Sequence, residues 1–277
     1  MSWIPPSDSL RFHDGLWQPQ SVSAVSYPEE GNEVYFQVED ASYWFAHRNA
    51  CILSVVRQFP PVGTFFDIGG GNGFVAMGLQ NAGLDVALVE PGSGAKNAVK
   101  RGVKNVIWAA LGDAGLRPQS LMAAGAFDVV EHIEDEHGFL CAVADQLKPG
   151  GRFYCTVPAV GMLWSDEDVS AGHFRRYNRS TLTRALQAAS FEVEFVSYFF
   201  TWLVAPLFLM RSLPWRLGGR RTKPKHGLEV TRDAHTLPRS LRAVVGRIHG
   251  WELARISDAR PLRLGSSLIC CARKPGP

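Results

Sequence analysis

The stretch Phe65-Phe66-Asp67-Ile68-Gly69-Gly70-Gly71-Asn72-Gly73 decides how this chain is read. An apolar run of strand length passes directly into glycines at alternate positions, Gly69, Gly71 and Gly73. Glycine there permits unusual backbone angles and lets another group approach the main chain closely. The helix expected next aims its first N–H groups back at the turn, which suits a carboxylate or phosphate. A strand, a glycine turn and a helix in that order open an α/β unit.

Working outward, the pattern continues in both directions. Upstream, residues 41–59 are expected to be helical, with Phe45, Ile52, Val55 and Val56 buried, and Pro60-Pro61 ends that helix. Downstream, helix 74–82 carries Val75, Leu79 and Ala82 on one face, and strand 85–89, a short helix 94–101 and strand 105–108 follow. Residues 122–127 form a fourth strand, in which Gly125 marks close backbone approach. Helix 135–147 is the clearest, since Leu140, Val143, Ala144 and Leu147 recur at i, i+3, i+4 and i+7. Lys148 is placed at its negative end, and Pro149-Gly150-Gly151 breaks it before a fifth strand, 152–157. Residues 158–179 look irregular. Ser180 then caps a helix bearing Leu182, Ala185, Leu186 and Ala189, and strands 191–198 and 267–272 close the pattern. Strands alternating with helices imply an α/β fold: a doubly wound sheet with helices on both faces.

The bulk figures bound this reading. A chain of 277 residues holds one large domain with room for an appendage. We divide it into an N-terminal arm (1–40), a core (41–198), a cap insertion (199–263) and a last strand with its tail (264–277). A net charge of +3 is too small to indicate nucleic acid, and none is expected as a partner. Residues 1–6 lack a secretory pattern, and the five cysteines form no C-x-x-C pair, so a reduced, cytoplasmic protein without a zinc site is expected.

Two cofactors compete for the glycine turn. Gly71-x-Gly73-x-x-Ala76 can be read as a dinucleotide fingerprint with Glu90 as its ribose acid, which makes an NAD(P)-dependent oxidoreductase. Read instead as Asp67-x-Gly69-x-Gly71-x-Gly73, the turn carries an acid at the strand end. Under either reading Glu90 offers two oxygens to ribose hydroxyls. Taken together, Asp67–Gly73, Val89-Glu90-Pro91, Ala126-Phe127-Asp128-Val129-Val130-Glu131-His132-Ile133 and Leu147-Lys148-Pro149-Gly150-Gly151 resemble the class I S-adenosylmethionine-dependent methyltransferases. The nearest resemblance is to the group that includes ubiquinone/menaquinone-type and sugar or lipid enzymes. A dehydrogenase accounts for the first two motifs and not the last two.

The resemblance implies a seven-stranded sheet whose last strand is antiparallel. It implies that Gly69, Gly71 and Gly73 pass under the methionine part of S-adenosylmethionine, with Asp67 near it, and that Glu90 holds the ribose. Leu111, Gly112 or Asp113 would border the adenine, and Phe127 and Asp128 would face cofactor and substrate. Gly70 stands where the family usually has cysteine, alanine or serine. A non-catalytic module that binds the cofactor without turnover stays open as an alternative.

The acceptor is less legible. An oxygen or protonated nitrogen must lose its proton, and His132 and His173 are the candidate bases. His132 could equally brace its loop, and His173 could equally pin a lid. Arg175, Arg176 and Tyr177 are candidate substrate contacts, the two arginines suiting an anionic group. They could also pair with Asp166, Glu167 or Asp168. Arg48 is placed to reach the cofactor carboxylate. No metal-ligand cluster is evident, so metal-independent transfer to a small acceptor is expected. The apolar run 199–210 is shorter than the about 20 residues that span a bilayer. With the basic residues that follow to 225, it reads as core, as a wall for a hydrophobic acceptor, or as a peripheral membrane contact.

Overall fold

The computed structural model describes residues 3–20, 29–218 and 239–276. Two short strands, β1 (Arg11–His13) and β2 (Leu16–Gln18), open the chain. The helix α1 (Glu29–Val38) and a 3-10 turn, Glu39–Ala41, lead into α2 (Tyr43–Gln58). Then come β3 (Phe65–Ile68), α3 (Phe74–Asn81), β4 (Val86–Val89), α4 (Gly94–Arg101), β5 (Asn105–Ile107) and β6 (Leu121–Phe127). They are followed by α5 (Glu136–Gln146), β7 (Leu147–Pro158), α6 (Asp166–Ala171), α7 (Arg179–Ala188) and β8 (Glu192–Phe199). The cap contributes α8 (Val204–Leu207), α9 (Leu213–Arg216) and α10 (Arg239–Ser257), and β9 (Ser267–Arg273) is the last strand.

Strands β3 and β4 are buried at every position, which is why β4 reads as an unbroken apolar run and β3 as one interrupted only by Asp67. The sheet runs β1-β2-β5-β4-β3-β6-β7-β9-β8. Strands β5, β4, β3, β6 and β7 are parallel, and β9 enters antiparallel between β7 and β8. Strand order reverses between β3 and β6, and a doubly wound sheet opens its ligand crevice at such a point, beyond the carboxyl ends of the strands. Two cores cover the faces: one includes Leu140, Leu182 and Phe191, the other Ile52, Leu79 and Phe200.

The seven strands expected are all present, and two more extend the sheet. The N-terminal arm, without a visible period, forms the β1–β2 hairpin, and Trp17 of β2 pairs in parallel with Ile107 of β5. Three-residue strands are too short to show alternation. Four local expectations change. Lys148 is exposed, and Lys274 instead reaches the carbonyls of Ala144 and Leu147 at 2.7 and 2.9 Å to close the end of α5. Asn178, not Ser180, caps α7 in a capping box with Thr181. At Gly125 the close neighbours are rings: a Cβ would meet Phe127 at 2.6 Å and Phe65 at 2.8 Å. The 158–179 stretch contains the helix α6. All five cysteines are free thiols, although Cys155 and Cys270 are register partners.

The cap splits into two parts. Phe199 and Phe200 are fully buried, so the apolar run begins as core. From Thr201 to Arg216 the chain winds through 3-10, α and π turns. Helix α10 lies along α2, where Ser54 and Ser257 share a 2.6 Å hydrogen bond. Arg220, Arg221, Lys223 and Lys225 lie outside the described residues. Among the described residues no helix is long and apolar enough to cross a membrane.

Candidate active site

The glycine turn is shaped by two requirements of different origin. Gly69, Gly71 and Gly73 all have positive φ, at 69°, 53° and 76°. A Cβ on Gly69 would lie 2.8 Å from Val129, and one on Gly73 would lie 2.8 Å from Ala98 and Val103. Those two glycines let α3, α4 and the β6 end pack against the turn. Gly71 differs, because nothing lies within 4 Å of its Cβ position. Its open side is where a ligand can meet the main chain.

Glu90 is tied to the same turn. Its carboxylate accepts from the amides of Gly92 at 2.7 Å and Gly71 at 2.9 Å. Burial pushes its pKa up, and the two amides pull it back. A carboxylate has about four lone-pair sites, so two amides leave capacity for a pair of ribose hydroxyls. Asp67 is wholly buried and neither oxygen makes a well-formed hydrogen bond, though the Ala76 amide lies toward it. Burial raises its pKa to about 7, against the pull of Arg48 and with a further push from Glu90. An unsatisfied buried carboxylate is costly, and a cation beside it removes the cost.

Arg48, from α2, turns inward. Its Nε stands 2.5 Å from Asp128 Oδ2 and its Nη2 donates to the Phe127 carbonyl at 2.8 Å. Asp128 holds a positive φ of 56°, costing about 1–2 kcal/mol for a residue with a Cβ. Arg48 and the Thr156 hydroxyl, 3.1 Å from Oδ1, hold it there. Strain of this kind clusters at functional sites. The Phe127 ring stacks on Phe65 in the core, so this residue offers the cleft its backbone. Past β5, Leu111 packs against the core, while Gly112 has open space beside it and Asp113 sits in the same turn. Trp108, which the sequence did not single out, donates to the Pro91 carbonyl at 2.9 Å and carries Lys96 over its ring.

His132 and His173, 41 positions apart in sequence, meet with ring centroids 4.7 Å apart. Burial, then the neighbouring His173, pushes the His132 pKa down to about 4, against the Asp128 charge and a hydrogen bond to the Ala171 carbonyl. The ring is therefore neutral at pH 7. His173 Nδ1 lies 2.9 Å from Asp168 Oδ1, and Arg176 Nε lies 2.7 Å from the same oxygen. Burial alone would raise the Asp168 carboxyl, and these partners outweigh it and hold it low. Glu131, behind them, is 1% exposed with one oxygen unpaired. Burial, reinforced by the Asp128 charge, holds its pKa well above the carboxylate range. Ligand atoms of Glu131, His132 and His173 lie within 4.8 Å of one another, a grouping that no local spacing motif displays.

The segment carrying His173 is stapled down. Arg175 donates to the carbonyls of Ile133 and Glu134 at 2.6 and 2.7 Å. Arg176 also donates to the Ala159 carbonyl, and the Tyr177 hydroxyl to Glu136 at 2.5 Å. The polar groups of these three residues are thus engaged within the protein. On the other side of the cleft, Glu39 accepts from Arg101 at 2.7 Å and from Asn72 at 3.4 Å. Arg101 in turn donates to the Asn72 carbonyl, so the turn before α2 clamps the glycine turn. Nothing in the local sequence of Glu39 announces its partners, whereas the Arg176–Asp168 pair is one of the pairings the sequence left open.

Residues 44–195 match a family described as a methyltransferase domain, more than half of the chain. No curated protein matches the sequence. Among solved structures, a chain from the Haloferax volcanii complex of the Trm112 methyltransferase activator with a methyltransferase is 16% identical, TM-score 0.56, covering 90% of this chain and 97% of that one. The Haemonchus contortus phosphoethanolamine N-methyltransferase 2, with phosphomonomethylethanolamine and S-adenosylhomocysteine, is 21% identical, TM-score 0.56, covering 94% of this chain and 62% of that one. A Thermotoga maritima S-adenosylmethionine-dependent methyltransferase, described as a possible histamine N-methyltransferase, is 18% identical, TM-score 0.52, covering 87% and 98%. The fold is shared across these, and the family match takes in the glycine turn, Glu90 and the Asp128–His132 turn. The chain therefore belongs to the class I S-adenosylmethionine-dependent methyltransferases.

Proposed function

We propose that the enzyme methylates an oxygen or nitrogen of a small acceptor with an apolar part, a quinol or a lipid headgroup in preference to a sugar. The residues of the cleft fit the cofactor: neither buried Asp67 oxygen has a well-formed hydrogen bond, Gly71 is open, and Glu90 has acceptor capacity left. In this reading Glu90 orients the ribose, the glycine turn seats the methionine part, and Asp67 faces its α-ammonium. Leu111–Asp113 border the adenine. Arg48 acts at one remove, holding Asp128 and the Phe127 carbonyl in place. When bound, S-adenosylmethionine supplies a methyl group activated on a sulfonium. What the chain then does is align the acceptor behind that methyl, which accounts for much of the rate.

The observation that carries the acceptor side is the meeting of His132 and His173 beside strained Asp128. The acceptor's proton is removed at this pair. Arg175, Arg176 and Tyr177 serve as struts of the His173 segment. The apolar preference is supported by Leu209, Met210 and Leu217, which lie exposed on the cap. The same exposed residues support peripheral contact with a lipid surface. Methyl-labelled S-adenosylmethionine offered with quinols, aminophospholipids and nucleotide sugars tests the reading. Label on a quinol or lipid is expected. Transfer to a sugar alone would refute the apolar preference, and no transfer to any oxygen or nitrogen would refute the acceptor class.

A further inference from the structure

We propose that Glu131, His132 and His173 form a binding site for one divalent transition-metal ion, zinc(II) or its close analogues, at the acceptor side of the cleft. Two imidazoles and a carboxylate are the donor set of catalytic zinc sites and of the facial triad of non-haem iron(II). Their ligand atoms already lie within 4.8 Å of one another. Donors around one such ion, each at about 2.1 Å, stand roughly 3–3.5 Å apart, so a side-chain movement of about 1.5 Å completes the set.

Three further features point the same way. The first is the unpaired Glu131 oxygen, in a side chain that is 99% buried by its 1% exposure. A buried carboxylate oxygen without a donor is the group a cation satisfies. The second is that each imidazole has one nitrogen held by an oxygen acceptor, His173 Nδ1 by Asp168 and a His132 nitrogen by the Ala171 carbonyl. Such acceptors fix the ring and leave its other nitrogen as a metal donor, the usual outer shell of metal-bound histidine. The third is rigidity: Asp168 is itself held by Arg176 and by the Ser165 amide at 3.0 Å. Asp128, close by, is engaged by Arg48 and Thr156 and is not counted as a ligand. The sequence hides the site because its donors come from two segments far apart in the chain, brought together by contacts such as the Phe174 amide's 2.8 Å bond to the Glu131 carbonyl.

Three protein donors leave coordination positions for water or an acceptor oxygen, whose proton the ion would make more acidic, so that with metal bound the proton passes to solvent water and the ligated imidazoles do not take it up. That consequence rests on the acceptor-side reading above, whereas metal binding itself does not and is read with the metal alone. The experiment uses the full chain, stripped with chelator and titrated with cobalt(II), followed by its visible absorption and by displacement with zinc(II). Cys141 and His137, 3.6 Å apart and exposed, are a competing surface pair, so Cys141→Ser is the background. One equivalent of cobalt is expected to give a ligand-field band that zinc abolishes and magnesium does not. Glu131→Gln and His173→Asn should each weaken binding at least tenfold, with S-adenosylhomocysteine binding and circular dichroism retained. Asp168→Asn should weaken it about 10–100-fold, as outer-shell changes do. No band in the Cys141→Ser chain overturns the proposal, as does equal binding by a folded His173→Asn chain. If Glu131→Gln does not fold, the His173 variant and the background chain still decide. Metal binding without any methyl transfer would refute the acceptor reading and leave the site standing.

Discussion

At the residue scale, the glycine turn separates what the fold needs from what the cofactor needs. Gly73→Ala places a Cβ against Ala98 and Val103 and keeps a left-handed φ. Overpacking and strain together should lower stability by about 2–4 kcal/mol. Gly71→Ala meets open space, so only the φ strain, about 1–2 kcal/mol, is expected from the chain itself. Its methyl would occupy the ligand side, so S-adenosylhomocysteine affinity should fall far more than stability. Urea midpoints and calorimetric titration of the two variants check this, and equal losses in both quantities would contradict it. Asp67 makes a pH prediction. Its pKa in the free chain is about 7, raised mainly by burial, so below pH 7 it carries a proton. An α-ammonium beside it favours the ionised form. Binding below pH 7 must then displace that proton, and affinity should fall by up to about tenfold per pH unit as pH drops. Above pH 7 the dependence should flatten. Asp67→Asn should bind weakly with no such slope between pH 5.5 and 8, and a slope unchanged in that variant would exclude Asp67 as its source.

At the element scale, the α10 helix is held to α2 by a polar knot more than by periodicity. Glu252 is fully buried and accepts from His47 at 2.8 Å, from the amides of Phe200 and Thr201, and from the Thr201 hydroxyl. Those bonds outweigh burial and keep its carboxyl low. His249 stacks on His47 at 3.7 Å and accepts the Trp202 indole N–H at 3.0 Å. Glu252→Ala would strand several buried donors, a loss of about 3–5 kcal/mol. Hydrogen exchange should then rise in α10 and in residues 200–203 before it rises in β3–β7. Exchange rising uniformly would mean that the knot belongs to the global core. Acid should loosen the same knot. Burial, then His47, lowers the His249 pKa to about 4, so its neutral form stabilises the fold above pH 6.5 and that contribution is lost as pH falls from about 6.5 toward 4. None of this was legible in the sequence, where 199–263 shows only an apolar run followed by basic residues. Strands β3–β7 and their helices were legible, because burial on both faces writes a local pattern. The β1–β2 hairpin, α6, the Lys274 closure of α5 and the Glu39–Arg101 clamp were not, because each depends on partners far along the chain. The cofactor side was readable for the same reason the fold was, since the glycines and Glu90 stand at strand ends. The Glu131–His132–His173 grouping waited on the folding of the 158–179 segment.

At the scale of the whole molecule, the cleft lies between two additions to the shared sheet. The N-terminal segment clamps the glycine turn through Glu39 and Arg101. On the acceptor side the cap touches the 158–179 segment, with Arg211 3.3 Å from Glu167 and Arg216 donating to the Met162 carbonyl at 3.4 Å. The cap's outward face carries Leu209, Met210 and Leu217, exposed by 60%, 67% and 78%. Single exposed apolar residues are ordinary on a soluble surface. Here they accompany Arg211 and Arg216, and the sequence continues with Arg220, Arg221, Lys223 and Lys225. Each basic residue near an anionic bilayer is worth about 1 kcal/mol, so a few of them with shallow apolar insertion hold a protein reversibly at the surface. Co-sedimentation with vesicles containing phosphatidylserine should therefore exceed that with neutral vesicles and should fall as salt is raised. Leu209→Ser with Met210→Ser should reduce it several-fold while leaving S-adenosylhomocysteine binding unchanged, because both side chains are exposed on the cap and the Glu90 and Arg48 contacts of the cofactor side use neither. Binding that ignores both lipid charge and these two substitutions would remove the cap from the membrane. The apolar acceptor would then have to reach the enzyme from solution.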